Sequence, residues 1–111
     1  MLAKKYRLPV QSAVGKKGKE MHFSHFLIKI FPSRLPYSRF GVVLKKGIAK
    51  KAVDRNRVRR TIFDAIRKME NATAVPNRDI IAIVGKAAPQ LKREVLISEI
   101  QAAISAIIKS S

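Results

Sequence analysis

Residues 39–69 read RFGVVLKKGIAKKAVDRNRVRRTIFDAIRKM, and the hydrophobic period changes inside this stretch. From Arg39 to Lys45, Phe40, Val42 and Leu44 alternate with Arg39, Gly41, Val43 and Lys45, the period of two that a half-buried strand requires. After Gly47 the apolar positions Val58, Ile62, Ala65, Ile66 and Met69 recur at helical spacing, which predicts an amphipathic helix over Lys50 to Glu70. Upstream, FSHFLIKIF (23–31) is aromatic and β-branched and runs into Pro32, so it reads as a strand. Its alternation puts Phe26, Ile28 and Ile30 on the core face and Phe23, His25, Leu27, Lys29 and Phe31 on the other. Residues Met1 to Lys19, broken by Pro9, Gly15 and Gly18, read as a basic extended arm with at most a short helical turn at Val10 to Val14. Downstream, Asn71 closes the helix, and DIIAIV (79–84) is a continuous apolar run suited to a strand buried on both faces. Beyond Pro89, Leu96, Ile97, Ile100, Ala103, Ile104, Ile107 and Ile108 predict a terminal amphipathic helix.

The chain has 111 residues with a formal net charge of +17 and 47% hydrophobic residues. That length suits a single domain spanning 1–111, and the apolar content suits a small packed core rather than disorder. No run approaches a membrane span or a secretion signal, so a cytoplasmic location is expected. Cysteine is absent and histidine is limited to His22 and His25, which removes disulfide frameworks, thiolate zinc sites and histidine-rich metal clusters from consideration. The charge is segregated: residues 1–60 hold 17 Lys and Arg against Glu20 and Asp54 alone. A surface built only for solubility would mix both signs, so this concentration implies a polyanionic partner.

Residues 45–60 concentrate that charge, with Lys45, Lys46, Lys50, Lys51, Arg55, Arg57, Arg59 and Arg60. At ~100° per residue, Asn56, Arg60 and Arg67 project opposite the apolar stripe, Arg57 and Lys68 flank them, and Arg55 and Arg59 border the core. Guanidinium forks match phosphate oxygens, and Asn56 adds a neutral donor and acceptor for a base edge or 2′-hydroxyl. Acids are too scarce to pair this face, Asp64 being the evident partner for Arg60. Nucleic-acid contact is therefore the reading. Phe63 falls near the cations on the helical wheel, and the core rim is preferred for it over base stacking. The strand face with Phe23, His25 and Lys29 either stacks unpaired bases or lies under the N-terminal arm. His25 has no nucleophile or carboxylate clustered with it in sequence and reads as a surface residue or hydrogen-bonding group.

Ala52-Val53-Asp54-Arg55-Asn56-Arg57-Val58-Arg59-Arg60 resembles the A-V-x-R-N-R-x-K/R-R signature of the bacterial ribonuclease P protein family. Arg7-Leu8, Gly18, Arg39-Phe40-Gly41-Val42 and Asp79-Ile80-Ile81 match in order, so the resemblance covers nearly the whole chain. It implies a two-layer α+β sandwich of order αβββαβα, similar to the small-subunit ribosomal-protein domain-2-like fold, with a left-handed βαβ crossover. It also implies that Arg55, Asn56, Arg57, Arg59 and Arg60, with Lys46, Lys50, Lys51 and Arg67 beside them, contact a catalytic RNA. By position, Phe23, His25, Leu27, Lys29, Val43 and Lys45 would line a cleft for the 5′ leader of precursor tRNA. The chain departs from the family in its shortened first helix, in Lys45-Lys46-Gly47 where the family has S-K-K, and in Phe63 where Arg is frequent.

The expectation is a noncatalytic subunit of an RNA-based endonuclease that removes tRNA leaders. Its partners would be the catalytic RNA and precursor tRNA, with no membrane and no obligate protein partner. Seven acids without a cluster offer no site for paired metal ions, so Mg²⁺ would be bound mainly by the RNA and substrate. Catalytic and metal-ligating side chains are expected to be absent. The rival readings are a basic ribosomal or other structural RNA-binding protein, a major-groove DNA-binding module, and, weakest, a membrane-surface helix.

Overall fold

The computed structural model describes residues 3–8, 18–44, 51–69, 72, 74–86 and 88–109. In chain order these form a 3-10 turn (Lys4–Tyr6), β1 (Lys19–His22), β2 (Phe26–Pro32), β3 (Arg39–Leu44), α1 (Ala52–Arg67), β4 (Arg78–Val84), a second 3-10 turn (Ala88–Gln90) and α2 (Arg93–Lys109). The sheet order is β1-β2-β4-β3. β2 is antiparallel to both β1 and β4, while β3 and β4 are parallel and joined through α1. Parallel neighbours need such a crossover, because a tight turn can only reverse the chain.

The register brings Phe26, Ile28 and Ile30 of β2 onto the same face as Ile80, Ala82 and Val84 of β4 and Phe40, Val42 and Leu44 of β3. This face meets both helices: Ile28, Val58, Ile62, Ala65, Ile100, Ile104 and Ile107 are fully buried in one cluster. The expected helical stripe is therefore the core contact of α1. β4 lies between two strands and is apolar on both sides, its Ile81 joining Leu8 and Phe31 in a second cluster on the opposite face. Leu8 reaches that cluster by donating its N–H to the Phe40 carbonyl at 2.8 Å. Gly41 permits the crossing, since a Cβ there would stand 3.3 Å from the Leu8 carbonyl and 3.5 Å from its Cβ.

Two expectations need correction. The strand expected over 23–31 starts only at Phe26, as β2, and it is preceded by a strand, β1 (Lys19–His22), that the sequence pattern does not signal. Between them Phe23 N–H donates to the Phe26 carbonyl, so the chain turns at 23–25 and the alternation does not extend back through it. The aromatic and β-branched content of the stretch hides the turn because Phe23 is half-buried for another reason, its packing against the main core. The helix is shorter at both ends than the apolar stripe suggests, running Ala52–Arg67; Lys50 and Glu70, like the turn expected at Val10 to Val14, lie outside the described residues.

Candidate nucleic-acid interface

α1 separates its two chemistries by angle. Val58, Thr61, Ile62, Phe63, Ala65 and Ile66 are buried, whereas Asn56, Arg57, Arg60, Arg67 and Lys68 are exposed and Arg55 and Arg59 are half-buried at the border. Lys51, the residue capping the helix start, is exposed and contributes no side-chain cap. The N-terminal end of the helix dipole thus adds positive potential beside the arginines, offset locally by Asp54 in the first turn. Phe63 is 5% exposed and belongs to the main core, so packing and not base stacking accounts for it.

Several of these side chains are held by neighbouring elements. Arg57 Nη2 donates to the Pro89 carbonyl at 3.0 Å, which orients the guanidinium and leaves the rest of its fork outward. Arg59 Nη1 reaches Asn56 Oδ1 at 3.4 Å, so the Asn56 amide nitrogen is the end free to donate. Thr61 Oγ1 donates to the Arg57 carbonyl at 2.8 Å and accepts from Arg93 Nη1 of α2 at 3.1 Å. Gln101 Nε2 donates to the Ala65 carbonyl at 3.0 Å. Sequence reasoning did not find Thr61, Pro89, Arg93 or Gln101, because only the docking of α2 on α1 brings them together. The pairing expected for Asp64 also differs: its carboxylate meets Arg93 at 3.7 Å. Arg60 makes no hydrogen bond or ion pair among the described residues. A guanidinium in that state has its donors available to phosphate oxygens.

The sheet face turned away from α1 and α2 carries the other candidates. Cross-strand register places His22, Leu27, Ile83 and Val43 in one row and Glu20, Lys29, Ile81 and Gly41 in the next. Leu27, Lys29 and Val43 are half-buried on this face, and Lys29 Nζ lies 3.5 Å from Glu20. Both groups are substantially exposed, so that pair is weak and gives way readily to a stronger anion. Leu8 packs with Phe31 and Ile81 on this face, Ile81 standing in the same row as Lys29.

Phe23 and His25 do not share this face. They sit in the β1–β2 turn against α2, where His25 Nδ1 pairs with Glu99 beside a cavity of about 210 Å³ lined by Phe23, Ser24, Phe26 and Ala103. The reason is the turn already described, which reverses the chain before the strand begins. Lys45, Lys46 and Lys50 lie outside the described residues. Among the described residues no group of three or more His, Cys, Asp or Glu is arranged to hold a metal ion, and no helix is long and apolar enough to cross a membrane.

Comparison with known proteins agrees with this arrangement. The family model for ribonuclease P matches residues 4–107. The ribonuclease P protein component of Microcystis aeruginosa is 37% identical over 83 residues, covering 71% of this chain and 68% of that protein. That of Clostridioides difficile is 37% identical over 70 residues, covering 63% and 60%. The matches thus span about two thirds of these relatives' lengths. The fold is similar to that of a Staphylococcus aureus RNase P protein mutant with defective mRNA degradation activity, with TM-score 0.79, 22% identity, and coverage of 96% of this chain and 90% of that one. It is also similar to the RNase P protein from Thermotoga maritima, with TM-score 0.75, 21% identity, and coverage of 88% and 94%. With a family model spanning almost all of its elements and curated relatives of that one name, this chain belongs to the ribonuclease P protein component family.

Proposed function

We propose that this protein is the noncatalytic subunit of ribonuclease P, binding the catalytic RNA through α1 and the 5′ leader of precursor tRNA on the opposite sheet face. The observation that carries this reading is the bare side of α1, where Asn56, Arg57, Arg60 and Arg67 face solvent opposite a fully buried stripe. Leu27, Lys29 and Val43 supply a second surface on which apolar contact and a cation lie together, a combination suited to single-stranded RNA. Mg²⁺ is assigned to RNA phosphates. The carboxylates of Asp79, Glu20, Glu99 and Asp64 face Arg39, Lys29, His25 and Arg93 respectively and do not converge on one point, so they do not fit a shared metal site. The protein acts by neutralising phosphate repulsion where leader and catalytic RNA meet, which favours metal and substrate binding together.

Reconstitution tests the proposal. A bacterial RNase P RNA is assayed for precursor-tRNA cleavage at low Mg²⁺ with and without this chain. A higher rate and a lower Mg²⁺ requirement are expected with it. Identical Mg²⁺ titrations would reject the reading.

A further inference from the structure

At the end of the sheet remote from Lys51, β2 stops and β3 and β4 begin. The connecting segment 33–38 is fastened there by its backbone: Ser33 N–H donates to the Asn77 carbonyl and Asn77 N–H to the Leu35 carbonyl, both at 2.9 Å. Leu35 N–H donates to Ser33 Oγ at 3.2 Å, and the buried Ser38 hydroxyl donates to the Val75 carbonyl. Asn77 adopts φ 63°, a left-handed conformation that asparagine tolerates better than most residues. The loop is therefore a preformed wall. Behind it lies a cleft of about 530 Å³ lined by Pro32, Ser33, Arg34, Leu35, Arg39 and Asp79.

The charges in this cleft are arranged unequally. Arg39 donates through Nε at 3.0 Å and Nη2 at 2.9 Å to the two oxygens of Asp79, which is 6% exposed. That bidentate pair is internally neutral, and it fixes the Arg39 fork with donors to spare. Arg34 is exposed and makes no hydrogen bond or ion pair among the described residues. The lining thus carries one unmatched positive charge, beside the apolar surfaces of Pro32 and Leu35.

We infer that this cleft is a subsite for one nucleotide of a single-stranded RNA, its phosphodiester on Arg34 and its base against Pro32 and Leu35. A single phosphodiester balances one unmatched cation, whereas a nucleoside triphosphate would bring excess negative charge to Asp79. The volume falls within the range of small-ligand pockets. The subsite rests on the RNA-binding function proposed above, and its Arg39 and Asp79 stand in the row of the sheet next to that of Lys29.

The test titrates the full-length protein with a short oligouridylate, following backbone amides by NMR and affinity by fluorescence anisotropy across salt concentrations. Expected are shifts at the Ser33, Arg34 and Leu35 amides that inorganic phosphate at equal concentration does not reproduce. Arg34→Ala should weaken the oligonucleotide several-fold and lower the slope of log K against log salt by about 0.7, the loss of one single-strand phosphate contact. Arg34→Glu should weaken it further. Equal shifts with inorganic phosphate, or an Arg34→Ala affinity and slope matching the parent while Lys29→Ala reduces them, would overturn the subsite and leave the RNA-binding function standing. If the parent protein binds neither oligouridylate nor a bacterial RNase P RNA, the proposed function itself fails.

Discussion

Arg60 lies one helical turn before Asp64, a spacing that normally invites an ion pair, yet that carboxylate meets Arg93 of α2 instead. The arginine is thereby left to solvent and to any incoming phosphate. Arg60→Ala is expected to weaken binding to the catalytic RNA and to reduce the slope of log K against log salt by about 0.9, the loss of one duplex phosphate contact. Filter binding at several salt concentrations measures both, and an unchanged slope would remove Arg60 from the contact. Lys29 lies on the other face of the molecule, lightly engaged by Glu20. Lys29→Ala should weaken precursor tRNA more than mature tRNA, because only the precursor carries a leader; equal losses in competition binding would take Lys29 out of leader contact. Arg39 belongs to a different class of cation: its hydrogen bonds to Asp79 hold it above its already high ordinary pKa. Its work is to keep a buried carboxylate paired.

The hairpin of β1 and β2 shows how a short element depends on one close approach. A Cβ at Gly18, just before β1, would fall 2.5 Å from the Ile30 carbonyl and 2.6 Å from the Phe31 ring. Neither can yield easily, since one is ladder backbone and the other packs with Leu8 and Ile81. Gly18→Ala is therefore expected to destabilise the fold by about 1–3 kcal/mol, as overpacking does, and chemical denaturation would show it as a lower midpoint. A midpoint equal to the parent would mean that β1 shifts without cost. At the other end of the hairpin, the turn at 23–25 is held to α2 by His25 and Glu99. α1 shows the same dependence on its neighbours: α2 and the turn at Ala88–Gln90 anchor Arg57, Thr61 and Ala65, so its arginine face is presented by a helix that cannot roll.

Across the whole molecule, a net charge of +17 acts on folding and on binding with opposite signs. Compaction brings like charges together, and salt screens that repulsion. Association with a polyanion is driven by release of counterions, which salt opposes. The thermal midpoint of the free protein is thus expected to rise between low and moderate NaCl while its affinity for RNA falls. A midpoint that dropped over that range would show that internal ion pairs such as Arg39 with Asp79 outweigh the repulsion.

The switch of period within 39–69, the terminal helix and the apolar strand at 79–84 were legible in the chain, because alternation and helical spacing are local properties. So was the outward side of α1, since a helix with one apolar stripe must turn its opposite side to water. The two matters that only tertiary structure decided both depend on neighbours distant in sequence. Phe23 and His25 leave the Lys29 face because β1 pairs with β2 and turns the chain there, and Asp64 leaves Arg60 because α2 brings Arg93 alongside. Spacing along a chain sets which way a side chain can point within its own element; which group waits at the end of it is set by packing between elements.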